Sequence, residues 1–549
     1  MKLYKISFLA VALTLGMSSC NDIDNIEYEG GELLKSQKTA AIEAMPDLSN
    51  ATFSGLFSMM GTPDYVFQYL KRSTPRNPRP DDAGFFTIHF SGDLEAADVV
   101  ISDNDYNWYS PACDLSSRNA DYANPYQRYV LPYRQIGVAN EIIGSFSEGS
   151  TDSVAVVQTA QARAMRAYDY LTLAPYFAFI NNLDAPCVPI LKDGVDYTNN
   201  PRATVKEVLE YALEDLNYAV EHLAGYKRTN KAYIDQNVAY GLRARANLYL
   251  KNYAAAAADA EKAMEGYTPS SIAEASVPAF CNINEHNWIW GIDVTTDMQN
   301  IAPNSTSAAW ICSLSGRGYC YLDLYARINK LLYDKIDAND VRKGWWVDED
   351  LDSPLLENVT WNGVSGIGIS YLTISQQKAQ YSPYTNVKFG KASGVGSTIN
   401  DNDWPLMRVE EMILIQAEGL LNSGNEAQAK TVLENFVKTY RNPNYDITKT
   451  GKLNLEDEIW FQRRVELWGE GFATPDTKRL NKPVVRIHGK GADSNFPDNF
   501  KFNMAADDPW LNMRFPQTEL DNNTGVVDNT GSNQPVPGQQ GDLRDGVTD

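Results

Sequence analysis

Loop aromatics are the side chains of this chain best suited to hold a ligand: Trp108-Tyr109 in an Asn- and Asp-rich stretch, Trp310, Tyr319 beside Cys320, and Tyr384 ahead of Asn386. An aromatic ring offers a flat apolar face that matches the C–H face of a sugar, while the indole N–H or phenol O–H reaches a hydroxyl. Neighbouring carboxylates and amides then fix orientation. Aromatics at regular spacing are core by the same logic. Trp345, Trp346, Trp404, Trp460 and Trp468 therefore read as structural, and Arg342 and Arg408 as partners of buried carboxylates. Trp288 and Trp290 alternate in a strand-like run, which predicts one face open to solvent.

Signals for bond-making chemistry are thin. The four histidines, His89, His222, His286 and His488, have neither HExxH nor HxH spacing, so metal binding has no local support. No GxSxG elbow, P-loop or strand-following GxGxxG occurs, and Gly366 with Gly368 and Gly394 with Gly396 read as loop glycines. A glycosidase pair is defined by separation in space, about 5 or 6.5–9.5 Å, on which the order of residues is silent. No catalytic residue, metal or cofactor is expected.

The chain of 549 residues has 48 Lys+Arg against 70 Asp+Glu, a formal charge of −22, with Tyr 31, Phe 19 and Trp 11. Such a field repels a phosphate backbone, which excludes nucleic acid as the partner. Residues 1–19 have the plan of a secretory signal: Lys2 and Lys5, an apolar run from Ile6 to Leu15, then small residues up to Cys20. A cysteine in that place resembles the lipobox of bacterial lipoproteins, which makes Cys20 the lipidation site and the lipid the membrane anchor. The acidic Asp22 and Asp24 after it resemble the signal that sends Bacteroidetes lipoproteins to the outer face of the cell. Cys113, Cys187, Cys281, Cys312 and Cys320 are odd in number, so at least one stays free, and Cys312 and Cys320 are close enough for a loop staple.

The elements that must position the loops are helices. After a tether over 20–36, residues 37–150 hold Pro, Asn, Asp and aromatic clusters, and the run from Lys71 to Pro80 reads as loop. Val157, Ala160, Ala164, Ala167 and Leu171 lie on one face of a helix over 154–177, with Pro175 tolerated in its last turn. Thr204 and Glu207 form a capping box that opens a helix to Leu223. From Ala239 to Met264 two helices joined at Lys251-Asn252 look like a tetratricopeptide repeat, and Met412 to Phe436 repeats the plan around Asn422 to Asn425. A further helix falls near Ile459 to Leu467. Between them, 269–403 is an irregular insertion, where binding loops are commonly mounted. The tail 521–549 is polar, lacks aromatics and reads as a poorly packed strap or disordered end.

Ordered motifs give the chain a resemblance. Gln161 to Tyr168 with Pro186 to Pro189, Leu332-Tyr333-Asp334 with Asp340 and Arg342-Lys343, Trp404 to Glu411 leading to Gln416-Ala417-Glu418, Arg463 to Gly471 with Asp476 and Arg479, and Phe515 to Glu519 resemble, in family order, the SusD/RagB nutrient-binding lipoproteins of Bacteroidetes. The resemblance implies a mainly α fold: one body over 37–520, with a tetratricopeptide-like scaffold around 154–265 and 404–470 and an irregular ligand-binding region around 269–403. It also implies a surface-exposed outer-membrane protein, not an enzyme, that captures oligosaccharides and passes them to a SusC-like TonB-dependent transporter. Asp81 and Asp82 resemble a segment near the pocket of some members and join the candidate site with Trp108, Tyr109, Trp310, Tyr319, Cys320 and Tyr384. The alternatives are a peptide-capturing member of the family, a surface scaffold that binds no nutrient and, more remotely, a secreted hydrolase.

Overall fold

The computed structural model describes residues 35–548 apart from 105–106, 117, 148, 193–194, 322–323, 362–380, 488–493, 530 and 540. The leader, Cys20, the tether up to residue 34, Gly366, Gly368 and His488 lie outside the described residues. The helices that frame the site are α1 (Tyr65–Tyr69), α2 (Phe85–Glu95), α3 (Ala123–Ile143), α4 (Ser153–Phe177), α5 (Val205–His222), α6 (Gln236–Tyr249), α7 (Tyr253–Ala263), α8 (Val409–Asn422), α9 (Glu426–Tyr440), α10 (Leu455–Glu466) and α11 (Ala473–Arg479). Short antiparallel ribbons join β1 (Val99–Val100) to β3 (Arg327–Ile328) and β2 (Trp288–Ile292) to β4 (Trp404–Arg408).

Helix starts follow local chemistry. The Asp152 carboxylate accepts the Val154 and Ala155 amides, both at 2.9 Å, and opens α4. At α5 the Thr204 hydroxyl accepts the Glu207 amide at 3.2 Å while the Glu207 carboxylate accepts the Thr204 amide at 2.7 Å. From α3 to α7 each helix packs on the next, and the short turn from Leu250 to Asn252 folds α7 back on α6. The array resumes beyond the insertion, with α7 on α8 and α8 on both α9 and α10. Gly419 permits that contact: a β-carbon there would lie 2.6 Å from the Tyr253 carbonyl oxygen. The result is a mainly helical molecule with a loop-rich insertion, consistent with tetratricopeptide-like pairing.

The insertion leaves and rejoins the array through the β2–β4 ribbon. Trp288 and Trp290 are both fully buried, which corrects the expectation of an open face. The ribbon is covered from both sides: α6 lies against β2, the Trp290 indole donates to the Ala232 carbonyl at 2.9 Å, and its ring meets Tyr168 of α4 edge-on at 4.9 Å.

Buried charge locks this junction. Arg342, Lys388, Arg408 and Arg441 face Asp340, Glu410, Glu466 and Glu470, with Arg342–Asp340 and Lys388–Glu470 at 2.7 Å and Arg408–Glu470 and Arg441–Glu466 at 2.8 Å. Four cations balance four carboxylates, so Arg342 and Arg408 pair as the sequence implied. Burial alone would raise the Glu466 carboxyl, but Arg441, Arg408 and Arg342 together hold it well below the ordinary range. Burial outweighs Glu470 at Lys388 and brings its ammonium down to about 8.

Three further expectations are corrected. Residues 37–150 contain α2 and the 21-residue α3. Their period was hidden because α2 is buried around almost its whole circumference, and because α3 carries Pro132 and buries Gln127, Arg128 and Gln135. The tail is a largely exposed strap, but it is pinned at buried points: the Asp545 carboxylate, buried, pairs with Arg464 at 3.0 Å and accepts the Val547 and Thr548 amides at 2.8 Å. Finally, Cys113, Cys187, Cys281, Cys312 and Cys320 are all free thiols. Cys312 donates to the Gly390 carbonyl at 2.9 Å while Cys320 points to Ala308, so no Cys312–Cys320 staple forms.

Candidate functional site

The site begins with two carboxylates that anchor an arm. Asp64, in the left-handed region at φ 55°, accepts the Ser73 hydroxyl on both oxygens at 2.8 Å and the Arg79 amide at 3.0 Å. A bridge between Thr74 and Asn77 closes the tip. Asp82 accepts the Val66 and Phe67 amides at 2.8 and 3.1 Å and so satisfies the first turn of α1. Burial lifts its carboxyl to about 7, helped by Asp81 and Asp64 and opposed by those amides.

Asp81 holds a guanidinium that meets the loop aromatics. Its oxygens accept Arg79 Nε at 3.1 Å and Nη2 at 2.8 Å, and Gln127 Nε2 at 3.1 Å. The guanidinium lies 4.3 Å from the Phe67 ring centre and 5.2 Å from that of Trp108. Trp108 is 41% exposed.

A ladder of rings runs beside this pair. Tyr109 is buried, with its hydroxyl 3.1 Å from that of Thr87 and its ring edge-on to Phe90 at 5.0 Å and to Trp310 at 4.7 Å. The Trp310 indole donates to the Pro80 carbonyl at 2.8 Å, which fixes its plane. Tyr319, half-buried, lies on Trp310 at 4.2 Å and 3° from parallel. Gly318 makes the stack feasible: at φ 125° it passes so close to Ala309 that a β-carbon would sit 2.6 Å from the Ala309 Cα.

The structure thus gathers Asp81, Asp82, Trp108, Tyr109, Trp310 and Tyr319 into one neighbourhood. Only Trp108 and Tyr319 of the rings have open surface. Trp310 supports Tyr319 and is itself held by Tyr109, Arg79 lies against Trp108, and Cys320 is buried next to Tyr319. Tyr384 belongs to another cluster, where its hydroxyl donates to Glu349 at 2.6 Å and its ring meets Tyr333 at 5.1 Å. Arg79 is the contributor that sequence reasoning missed. Its signal was the Asp81 two residues on, hidden in a run read only as loop.

Elsewhere, a cleft of about 740 Å³ between 334–340 and 434–462 and one of about 650 Å³ around 421–458 are lined mainly by charged and amide groups. His89 is wholly engaged: its Nδ1 accepts the Trp404 indole N–H at 3.1 Å, which leaves Nε2–H to donate to Tyr168, also at 3.1 Å. Burial and Arg245 keep it neutral by lowering it to about 3. Among the described residues no three His, Cys, Asp or Glu side chains converge as a metal site. Nor is any described helix long and apolar enough to cross a membrane.

A helical array interrupted by a loop-rich insertion is the architecture to which the comparisons also lead. The model of the SusD family matches residues 325–532, and a second, described as starch-binding associating with outer membrane, matches residues 91–250. The chain belongs to the SusD/RagB family. A SusD-like carbohydrate binding protein from Bacteroides vulgatus is 21% identical with a TM-score of 0.66, over 88% of this chain and 98% of that one. A SusD superfamily protein from the same organism is 16% identical with a TM-score of 0.69, over 89% and 99%. Surface glycan-binding protein A from Bacteroides thetaiotaomicron, solved in complex with laminarihexaose, is 17% identical with a TM-score of 0.59, over 88% and 99%. These likenesses establish the fold. No curated protein matches the chain. Trp310 and Tyr319 fall between the two matched segments.

Proposed function

We propose that this protein is a cell-surface lipoprotein, anchored in the outer membrane through Cys20, that captures oligosaccharides and delivers them to a SusC-like TonB-dependent transporter. The observation that carries the capture step is the ring ladder, in which half-buried Tyr319 stacks on a Trp310 held by Tyr109 and the Pro80 carbonyl, beside the exposed Trp108. A rigid aromatic platform binds a sugar face without losing side-chain freedom, and the part-exposed Arg79 guanidinium, held in place by buried Asp81, offers donors for hydroxyls beside it. Family membership and the laminarihexaose held by one structural relative support the ligand class. Binding rather than hydrolysis fits the carboxylates at the rings: Asp81 is engaged by Arg79 and Asp82 by backbone amides, which leaves neither free to act as acid or nucleophile.

Calorimetry of the purified protein against oligosaccharides and peptides tests the reading, with Trp108→Ala and Tyr319→Ala in parallel. A glycan that binds the parent protein and neither variant supports it. Binding of peptides alone transfers the site to the peptide-capturing branch, and binding of neither class makes the protein a scaffold.

A further inference from the structure

Next to the ring platform, acidic and basic groups of the arm are sorted by direction. Residues 62–82 contain Asp64, Asp81 and Asp82 against Lys71, Arg72, Arg76 and Arg79. All three carboxylates are buried and tie the arm down. Lys71, Arg72 and Arg76 are exposed, and none has an ion-pair partner among the described residues. Rings also hold two guanidinium groups: Arg72 lies 4.2 Å from the Tyr126 ring centre, and Arg134, on the side of α1 away from Phe67, sits 4.5 Å from that of Tyr65 and 3.8 Å from that of Tyr69. A guanidinium stacked this way keeps its N–H edge free and pre-oriented for an oxyanion. Tyr69 itself is 54% exposed.

This is an unusual place for unpaired cations in a chain of formal charge −22. The overall field repels anions, so an acidic ligand is held only where positive charge is locally concentrated and fixed. Such a place exists directly beside the rings. Arg79, which contacts both Phe67 of α1 and Trp108, joins the platform to the arm. Arg76 is three residues further, within roughly 11 Å of backbone reach.

We infer that the ligand is an acidic oligosaccharide, bearing carboxylate or sulfate groups, whose sugar rings pack on Trp108 and Tyr319 while its anionic substituents follow the arm to Arg76 and Arg72. The inference rests on the proposed capture of oligosaccharides and names their class. The arm is then the element that selects among glycans, and the rings are the element that holds any of them.

The test is calorimetric titration of the purified protein with an oligogalacturonate hexamer, a sulfated oligosaccharide of similar length and neutral laminarihexaose, at 50 and 300 mM NaCl. The expected result is that one of the two acidic ligands binds about ten-fold or more tightly than the neutral one at low salt and loses most of that margin at high salt. Which acidic ligand does so separates the carboxylate from the sulfate source. Arg72→Ala and Arg76→Ala each reduce acidic binding about three- to five-fold and leave thermal unfolding unchanged, since both side chains are exposed. Trp108→Ala reduces binding of every saccharide. Equal or tighter binding of the neutral hexamer, or arginine variants that bind the acidic ligand like the parent, overturns this inference and leaves oligosaccharide capture standing. Failure of all three ligands, and of the wider glycan panel, overturns both.

Discussion

The junction around Glu466 and the rim around Trp108 are built from the same three ingredients, guanidinium, carboxylate and aromatic ring, yet they do opposite work. At the junction Arg342, Arg408 and Arg441 are sealed from solvent, Glu410, Glu466 and Glu470 are each shared between cations, and Lys388 lies against Phe280, Trp345 and Phe389. At the rim Arg79 keeps about a quarter of its side chain exposed, at 27%, and one of the two rings it touches is open. Closure converts this chemistry into fold specification, because a buried charge without its partner is strongly unfavourable. Leaving one ring face and one arginine edge uncovered converts it into a place for a ligand. The difference is one of solvent access, not of residue type.

Breaking the junction tests the first half of that contrast. Glu466→Ala removes the carboxylate shared by Arg342, Arg408 and Arg441 and leaves four buried cations against three carboxylates; it is expected to lower stability by about 3–5 kcal/mol, read as the shift of a urea unfolding midpoint. The same carboxyl gives the pH dependence its direction. Its folded-state value is depressed, so its contribution is complete above the ordinary Glu value of 4.5 and is lost as pH falls below it. Stability measured from pH 7 down to 3 should therefore drop in acid, with a shallower acid limb in Glu466→Gln.

The rim should behave in the reverse way. Trp108→Ala is expected to weaken saccharide binding about ten-fold or more while leaving the unfolding midpoint within error of the parent, because 41% of the residue is already exposed. A large loss of stability would show that the ring is a structural member and dissolve the comparison.

Two smaller effects sharpen it. Asp545→Ala removes the tail's link to Arg464 and its caps on Val547 and Thr548, with an expected loss of about 1–3 kcal/mol and faster proteolysis of the last 30 or so residues, roughly the length of the tail. Retained protection of the tail would mean that Val526 and Asn523, also buried, hold it alone. Asp82 titrates opposite to Glu466. Burial raises it to about 7, so the folded protein keeps a proton that the unfolded chain releases, and raising pH from 4 to 7 reduces stability at this position. Asp82→Asn, which cannot ionise, should flatten that slope.

Legibility followed the range of the interactions. The helices near 154–177, 204–223, 239–264 and 412–436 were readable because their caps and apolar faces are written within four residues of each other. α2 and α3 were not, since a helix buried all round, or one whose buried face mixes polar with apolar residues and carries Pro132, shows no clean apolar period. Trp288 and Trp290 were read as a half-open strand because alternation says nothing of what covers the second face. The tail misled for a related reason. Its polar residues looked soluble, yet Asp545 and Asn523 are buried because each finds a partner, Arg464 in one case and Asn200 in the other.

By itself the sequence determined the helical scaffold, the family and the residue types available for a ligand, all of which rest on local pattern or on motif order. Tertiary structure alone decided that Tyr319 stacks on Trp310, that Tyr109 supports Trp310 from below, that Tyr384 belongs elsewhere, and that Arg79 reaches Trp108. Those pairings join residues far apart in the chain, as when Trp310 donates to Pro80 across 230 positions. No periodicity connects such positions; only the packing of the insertion onto the array brings them within contact distance.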